Sequence, residues 1–215
     1  MEEAFWQERW RLNQTAFHEG RPNRLLLEHF DRLALGAGDT VFVPLCGKTM
    51  DLDWLYERRL RVVGIEFNRE AVEEVFSRLS LVPDMQHTGK LIRFKAGSLE
   101  IFVGDFFELT GAMLGHMDAI YDRAALVALP KETRPGYAAH LAKIGGRARQ
   151  LLISFDYDQG RMDGPPFSVP ETEIRAINRT AYRIECLTRQ KMSGPLGERS
   201  GGDVEAWLLE PEGTI

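Results

Sequence analysis

The chain has 215 residues, 44% of them hydrophobic, and a formal net charge of -5. That length supports one α/β domain with a full core and is short for two. The acidic balance, with Lys and Arg scattered along the chain, excludes the basic footprint of an enzyme of DNA or RNA and favours small-molecule chemistry.

Met1-Glu-Glu-Ala-Phe-Trp6 carries acids where a signal peptide would be basic, and no apolar stretch approaches the roughly 18 residues of a membrane span. The expectation is a soluble, cytoplasmic protein without a membrane partner. In this first segment Trp6 and Trp10 stand at i, i+4 on one helical face, and the stretch from Thr15 to Pro22 is irregular. Apolar runs at Val41 to Leu45, Arg61 to Glu66, Glu100 to Val103, Asp118 to Tyr121 and Gln150 to Phe155 read as buried strands. Between the second and third, Ala71, Val72, Val75, Phe76 and Leu79 recur at helical spacing behind a cap at Asn68. Tyr137, Leu141 and Ile144 do the same ahead of Gly145-Gly146. Strands alternating with helices predict a doubly wound, mostly parallel sheet. Leu91 to Val103 has Gly97 at its centre and reads as a hairpin added near the third strand. Tyr182 to Leu187 and Val204 to Leu209, joined by a Gly-rich polar loop, read as an antiparallel closing pair. Cys46 and Cys186 lie far apart and the five histidines have no ligand spacing, so neither a disulfide framework nor a metal site is expected.

The most informative stretch is Val41-Phe-Val-Pro-Leu-Cys-Gly-Lys48, a strand ending in a turn, followed by a helix and by a second strand closed by Glu66. In an open α/β sheet an acid about 20 residues beyond such a turn accepts hydrogen bonds from ribose hydroxyls. A dinucleotide would want G-x-G-x-x-G, because the backbone must approach a pyrophosphate closely. This turn has one glycine, Gly47. S-adenosylmethionine has no phosphates and fits the turn better. Asp105, in Val103-Gly-Asp-Phe-Phe107, is placed to accept the adenine amino group beside two aromatic rings. Asp122 and Arg123 end the fourth strand beside the same cleft.

Phe5-Trp6 through Trp10, Thr15-Ala-Phe-His18, Pro44 to Lys48, Gly64-Ile-Glu66, Tyr121 to Val127 and Gly164-Pro-Pro-Phe-Ser-Val-Pro170 together resemble the thiopurine S-methyltransferase family in its bacterial form. The resemblance runs over nearly the whole length. It implies the class I methyltransferase fold, Rossmann-like, with a seven-stranded sheet whose last strand is antiparallel, as a single domain over 1–215 in which residues 1–22 form a helical lid. It implies that Trp10, Leu45, Glu66 and Arg123 contact S-adenosylmethionine, that Trp6, Asp105 and Phe106 line the same site, and that Phe17 covers the acceptor. Arg199 is the nearest match to a further substrate-facing arginine. The implied reaction moves the methyl group to the sulfur of an aromatic or heterocyclic thiol and leaves S-adenosylhomocysteine, in a monomer. Arg123 would steady the electron-rich acceptor, and Asp122 or an ordered water would take a proton where one remains. Small soft anions, namely selenium or tellurium oxyanions, thiocyanate and halide, are alternative acceptors on the same fold. A non-catalytic S-adenosylmethionine-binding module is the alternative from another class.

Overall fold

The structure, a computed structural model, describes residues 20–212. Trp6, Trp10 and Phe17 lie outside the described residues, as does most of the expected lid.

Helix α1 (Arg24–His29), capped by the Asn23 side chain, leads to β1 (Thr40–Val43), α2 (Met50–Glu57), β2 (Arg61–Glu66) and α3 (Arg69–Arg78). Strands β3 (Asp84–Thr88), β4 (Leu91–Ala96) and β5 (Leu99–Val103) follow, then the single turn α4 (Gly111–Leu114), β6 (Ala119–Arg123), α5 (Arg134–Ile144), β7 (Arg149–Asp156), α6 (Glu171–Asn178), β8 (Tyr182–Lys191), α7 (Gly194–Ser200) and β9 (Asp203–Pro211). They form one sheet in the order β3-β4-β5-β2-β1-β6-β7-β9-β8. The five central strands are parallel, as expected, and β9 runs antiparallel between β7 and β8.

The expected seven strands are therefore all present, but the sheet among the described residues has nine. Strand β4 pairs antiparallel with β5 as the hairpin expected over Leu91 to Val103, and β3, antiparallel to β4 beyond it, is the strand not foreseen. Strand β3, Asp84-Met-Gln-His-Thr88, is exposed along most of its length at the sheet edge, so no face of it has to be apolar and the sequence carries no strand pattern. The Gly-rich loop between β8 and β9 departs from expectation too, because its centre folds as α7. Pro195 stands in the first turn and Gly201 ends the helix in the left-handed conformation, the usual placement of those two residues.

β1 and β2 are buried nearly throughout because both sheet faces are covered, which explains their unbroken apolar runs. Leu25 and Leu26 of α1, Leu52 and Leu55 of α2, and Val72, Val75 and Phe76 of α3 pack on one face. Tyr137, Leu141 and Ile144 of α5 and Ile174 of α6 pack on the other. The chain thus changes face between β1 and β6, which are neighbours in the sheet. Such a switch point opens a crevice at the carboxyl ends of the strands, where α/β sheets bind ligands.

Candidate active site

The crevice begins at the turn after β1. Leu45 and Gly47 both take the left-handed conformation, at φ 45° and 53°. Among the described residues six non-glycine residues have positive φ, and four of them, Ala34, Arg59, Ser80 and Arg147, follow helix ends. The other two, Leu45 and Ala124, follow β1 and β6 at the switch point. Strain in such backbone concentrates at functional sites because the surroundings must hold it.

Glu66 fixes this turn. Its Oε2 accepts from the Gly47 N–H at 2.8 Å and its Oε1 from the Asn68 N–H at 2.9 Å. Asn68 in turn caps α3 by accepting from the Ala71 N–H, as its sequence position predicts. The turn can approach β2 because residue 64 is glycine: a Cβ there would stand 2.9 Å from the Cys46 Sγ. Glu66 is 4% exposed. Burial pushes its carboxyl up, while the N–H groups of Asn68, Gly47 and Phe67 pull it back. A carboxylate has about four lone-pair positions, so acceptor capacity remains for a ligand's hydroxyls.

This arrangement discriminates between cofactors. The Gly47 N–H, which a phosphate-binding turn would present to its ligand, is taken by a carboxylate, and the Cys46 N–H donates to the Ile65 carbonyl. A pyrophosphate here would face an acid in place of donors. Paired ribose hydroxyls would meet an acceptor. The residues therefore fit an adenosine without phosphates.

At the end of β5 the Gly104 N–H donates to the Glu66 carbonyl, drawing the next loop against the same turn. Asp105 is exposed and accepts from the Phe107 N–H at 3.0 Å. Phe106, expected to line the site, does not present its ring there. It is 1% exposed and packs in the core against Tyr137 and His140, with centroids 4.9 and 5.0 Å away. Phe107 is the outward ring, 38% exposed. The pattern Gly-Asp-Phe-Phe does not say which aromatic the short 3-10 turn sends inward.

Asp122 and Arg123 part company at the end of β6, because successive strand residues project to opposite faces. Asp122 points to the α5 side, where its Oδ2 accepts from the Tyr137 hydroxyl at 2.8 Å and from the Gln150 amide at 3.4 Å, and its Oδ1 from the Leu126 N–H at 3.2 Å. It is 1% exposed, and burial pushes its carboxyl up to about 6 against the pull of Tyr137 and the Leu126 and Ala125 N–H groups. A carboxylate sealed among four protein donors is not placed to take a proton from an external thiol, which revises the role expected of it. It braces the Ala124 to Leu126 turn instead. Arg123 is half-buried on the opposite, α2 side, and its charge acts on Asp51. Asp51 was not picked out from sequence. The available signal was strand alternation, which puts Tyr121 and Arg123 on one face together.

Arg199 lies exposed in the last turn of α7. It makes no hydrogen bond or ion pair among the described residues, and Arg161 is the arginine packed against Gly201 beside it. The stretch ending in Val127 and the Gly-Pro-Pro-Phe stretch do meet: the Phe167 N–H donates to the Val127 carbonyl at 2.7 Å. No cluster of three potential metal ligands occurs among the described residues.

Comparison with known proteins agrees with this geometry. A sequence profile described as "Thiopurine S-methyltransferase (TPMT)" matches residues 1–206. A "Thiopurine S-methyltransferase" of Xanthobacter autotrophicus is 46% identical over 98% of this chain and 99% of its own. One of Gluconobacter oxydans is 44% identical over 97% of this chain and 94% of its own. Among solved structures, a Burkholderia thailandensis 1,6-didemethyltoxoflavin-N1-methyltransferase with bound S-adenosylhomocysteine superposes with a TM-score of 0.67 at 12% identity, covering 97% of this chain and 87% of that one. That likeness, at so low an identity, concerns the fold.

Proposed function

The chain belongs to the thiopurine S-methyltransferase family, and from that premise we propose that it transfers the methyl group of S-adenosylmethionine to the sulfur of an aromatic or heterocyclic thiol. The observation that carries this reading is the pairing of a buried acceptor, Glu66 bound to the Gly47 N–H, with a half-buried cation, Arg123, across the β1–β6 switch point. One suits the ribose of a cofactor without phosphates, the other an anionic acceptor.

In the reaction the thiolate sulfur attacks the methyl carbon in line, a new carbon–sulfur bond forms as the sulfonium's breaks, and the bond pair leaves on S-adenosylhomocysteine. A heterocyclic thiol is substantially ionised near neutral pH, so little acid-base chemistry is required. Orientation and exclusion of water supply most of the rate. In this reading Glu66 accepts from the ribose hydroxyls, Asp105 from the adenine amino group, and the Leu45 carbonyl contacts the methionine end. Phe107 replaces Phe106 as the ring at the adenine edge. Arg123 meets the acceptor. Trp6, Trp10 and Phe17 keep the roles the family resemblance gives them, in a lid over residues 1–22 of a single domain. Arg199 is retained as a substrate-facing candidate on that resemblance alone.

Among the described residues no helix is long and apolar enough to cross a membrane. A cytoplasmic monomer with a small-molecule substrate and no nucleic-acid partner completes the reading. The test is incubation with S-adenosylmethionine and mercaptopurine, following S-adenosylhomocysteine and the methyl thioether, with selenite, tellurite and thiocyanate as competitors. Thioether formation that fails in Arg123→Ala supports the proposal. Product from the small anions alone would replace the acceptor, and no S-adenosylhomocysteine with any acceptor would leave a binding module.

A further inference from the structure

One buried acid beside the switch point has no part in the reaction above. Asp51 stands in the first turn of α2 and is 0% exposed. Its Oδ1 accepts from the Asn23 N–H at 2.6 Å and its Oδ2 from the Tyr121 hydroxyl at 3.0 Å. Three segments converge on it: the residue that follows 1–22 and caps α1, the helix after the cofactor turn, and β6. The neighbouring acid of α2 behaves differently, since Asp53 pairs with Arg78 of α3 at 2.8 Å and serves helix packing.

Tyr121 and Arg123 project from the same face of β6, about 7 Å apart along the strand. The Tyr121 hydroxyl touches Asp51, so the face of β6 that Tyr121 and Arg123 share is the one turned toward the N-terminus of α2. The electrostatics agree with that placement. Burial pushes the Asp51 carboxyl up, and of the influences that pull it back the charge of Arg123 is the largest, ahead of the Asn23 N–H and the Tyr121 hydroxyl.

We propose that Asp51 is a positioning residue for methyl transfer, a buried junction that ties Asn23 and Tyr121 to one point and orients the Arg123 guanidinium toward the acceptor. The inference rests on the reading of Arg123 as the acceptor-facing cation. It adds that this cation is aimed by the same carboxylate that fixes where the N-terminal segment joins the domain.

The test is a double-mutant cycle. Asp51→Asn keeps the side chain's size and removes its charge. It is expected to lower kcat/KM for a thiol about tenfold, chiefly through the acceptor KM, with S-adenosylhomocysteine affinity changed less than threefold. In an Arg123→Ala background the same substitution is expected to cost less than twofold further. Tyr121→Phe, which keeps the ring packing, is expected to move kcat/KM the same way by about threefold. Equal losses in the two backgrounds, or wild-type kcat/KM in Asp51→Asn, would overturn the proposal. A readout independent of turnover is the Arg123 side-chain N–H resonance in protein with labelled arginine. It is expected to shift and to exchange faster with solvent in Asp51→Asn, and an unmoved resonance would overturn the proposal too. A wild-type protein that methylates no thiol removes the acceptor reading, and the resonance then decides the positioning of Arg123 by itself.

Discussion

Glu66 and Glu100 lie on the neighbouring strands β2 and β5, each 4% exposed, at opposite ends of the sheet. Glu66, at the carboxyl end, is held by the backbone N–H groups of Gly47 and Asn68. Glu100, near the amino end, has Arg61 at 3.3 Å, Lys95 at 3.4 Å and Arg93 at 3.8 Å. Neutral donors stabilise a carboxylate while leaving it net charge and lone pairs for a ligand. Three cations cancel it and leave a closed structural cluster. Burial and residue type are shared, so the partners decide which acid belongs to a site.

The largest expected effect is that of Glu66→Ala. It strips the acceptor from the buried Gly47 N–H and the half-buried Asn68 N–H; a buried orphan costs about 1–3 kcal/mol and a half-buried one less, so a loss of about 3 kcal/mol in unfolding free energy is expected. Calorimetry should also show S-adenosylhomocysteine bound at least tenfold more weakly. Equal weakening by Glu100→Ala would erase the contrast between the two acids.

Asp122 is an intermediate case, buried and bound to a neutral hydroxyl and to N–H groups, yet turned from the crevice. Its carboxyl is raised from 3.8 to about 6. The native state thus holds this proton to higher pH than the unfolded chain does. The stability it contributes is fully present below about 3.8 and is lost as pH rises through about 6. At about 1.4 kcal/mol per unit, this amounts to about 3 kcal/mol across that window. Urea unfolding should show the corresponding decline, and Asp122→Asn should flatten it. Tyr137→Phe, by removing a donor that favours the charged form, should extend the decline to higher pH.

Glu100→Gln ranks next, at about 1–2 kcal/mol, because its partners are partly exposed, at 41%, 28% and 40%, and water screens the charges it leaves. S-adenosylhomocysteine affinity is expected to change less than twofold. A larger change would connect the two ends of the sheet.

The sequence was most legible where local chemistry and tertiary environment agree. Strand β2 and the Asn68 cap fall where the apolar run and the capping pattern put them, and Glu66 stands at the turn that its spacing from Gly47 indicates. It was least legible where side-chain direction matters. Phe106 and Phe107 are alike in sequence, yet one is core and the other surface. Asp122 and Arg123 read as a pair, yet the strand sends them to opposite faces. Strand β3 lies at an edge that demands no apolar pattern, and Asp51 gains its importance only from Asn23 and Tyr121, residues 28 and 70 positions away.

The finest test of the comparison separates backbone from side chain at Leu45. A ligand contact through the carbonyl depends on the left-handed conformation at φ 45° and not on the leucine side chain, which is half-buried against the core. Leu45→Asn keeps similar size and tolerates that conformation. It is expected to hold S-adenosylhomocysteine affinity within twofold, with a small loss of stability from packing. Leu45→Ile is the more conservative change by hydrophobicity, but a β-branched residue is a genuine outlier at positive φ. It is expected to cost about 1 kcal/mol and to weaken binding several-fold as the turn relaxes away from Glu66. Preference for the apolar isomer over the polar one would instead make the side chain the contact, and the Gly47–Glu66 hydrogen bond would then brace a hydrophobic wall.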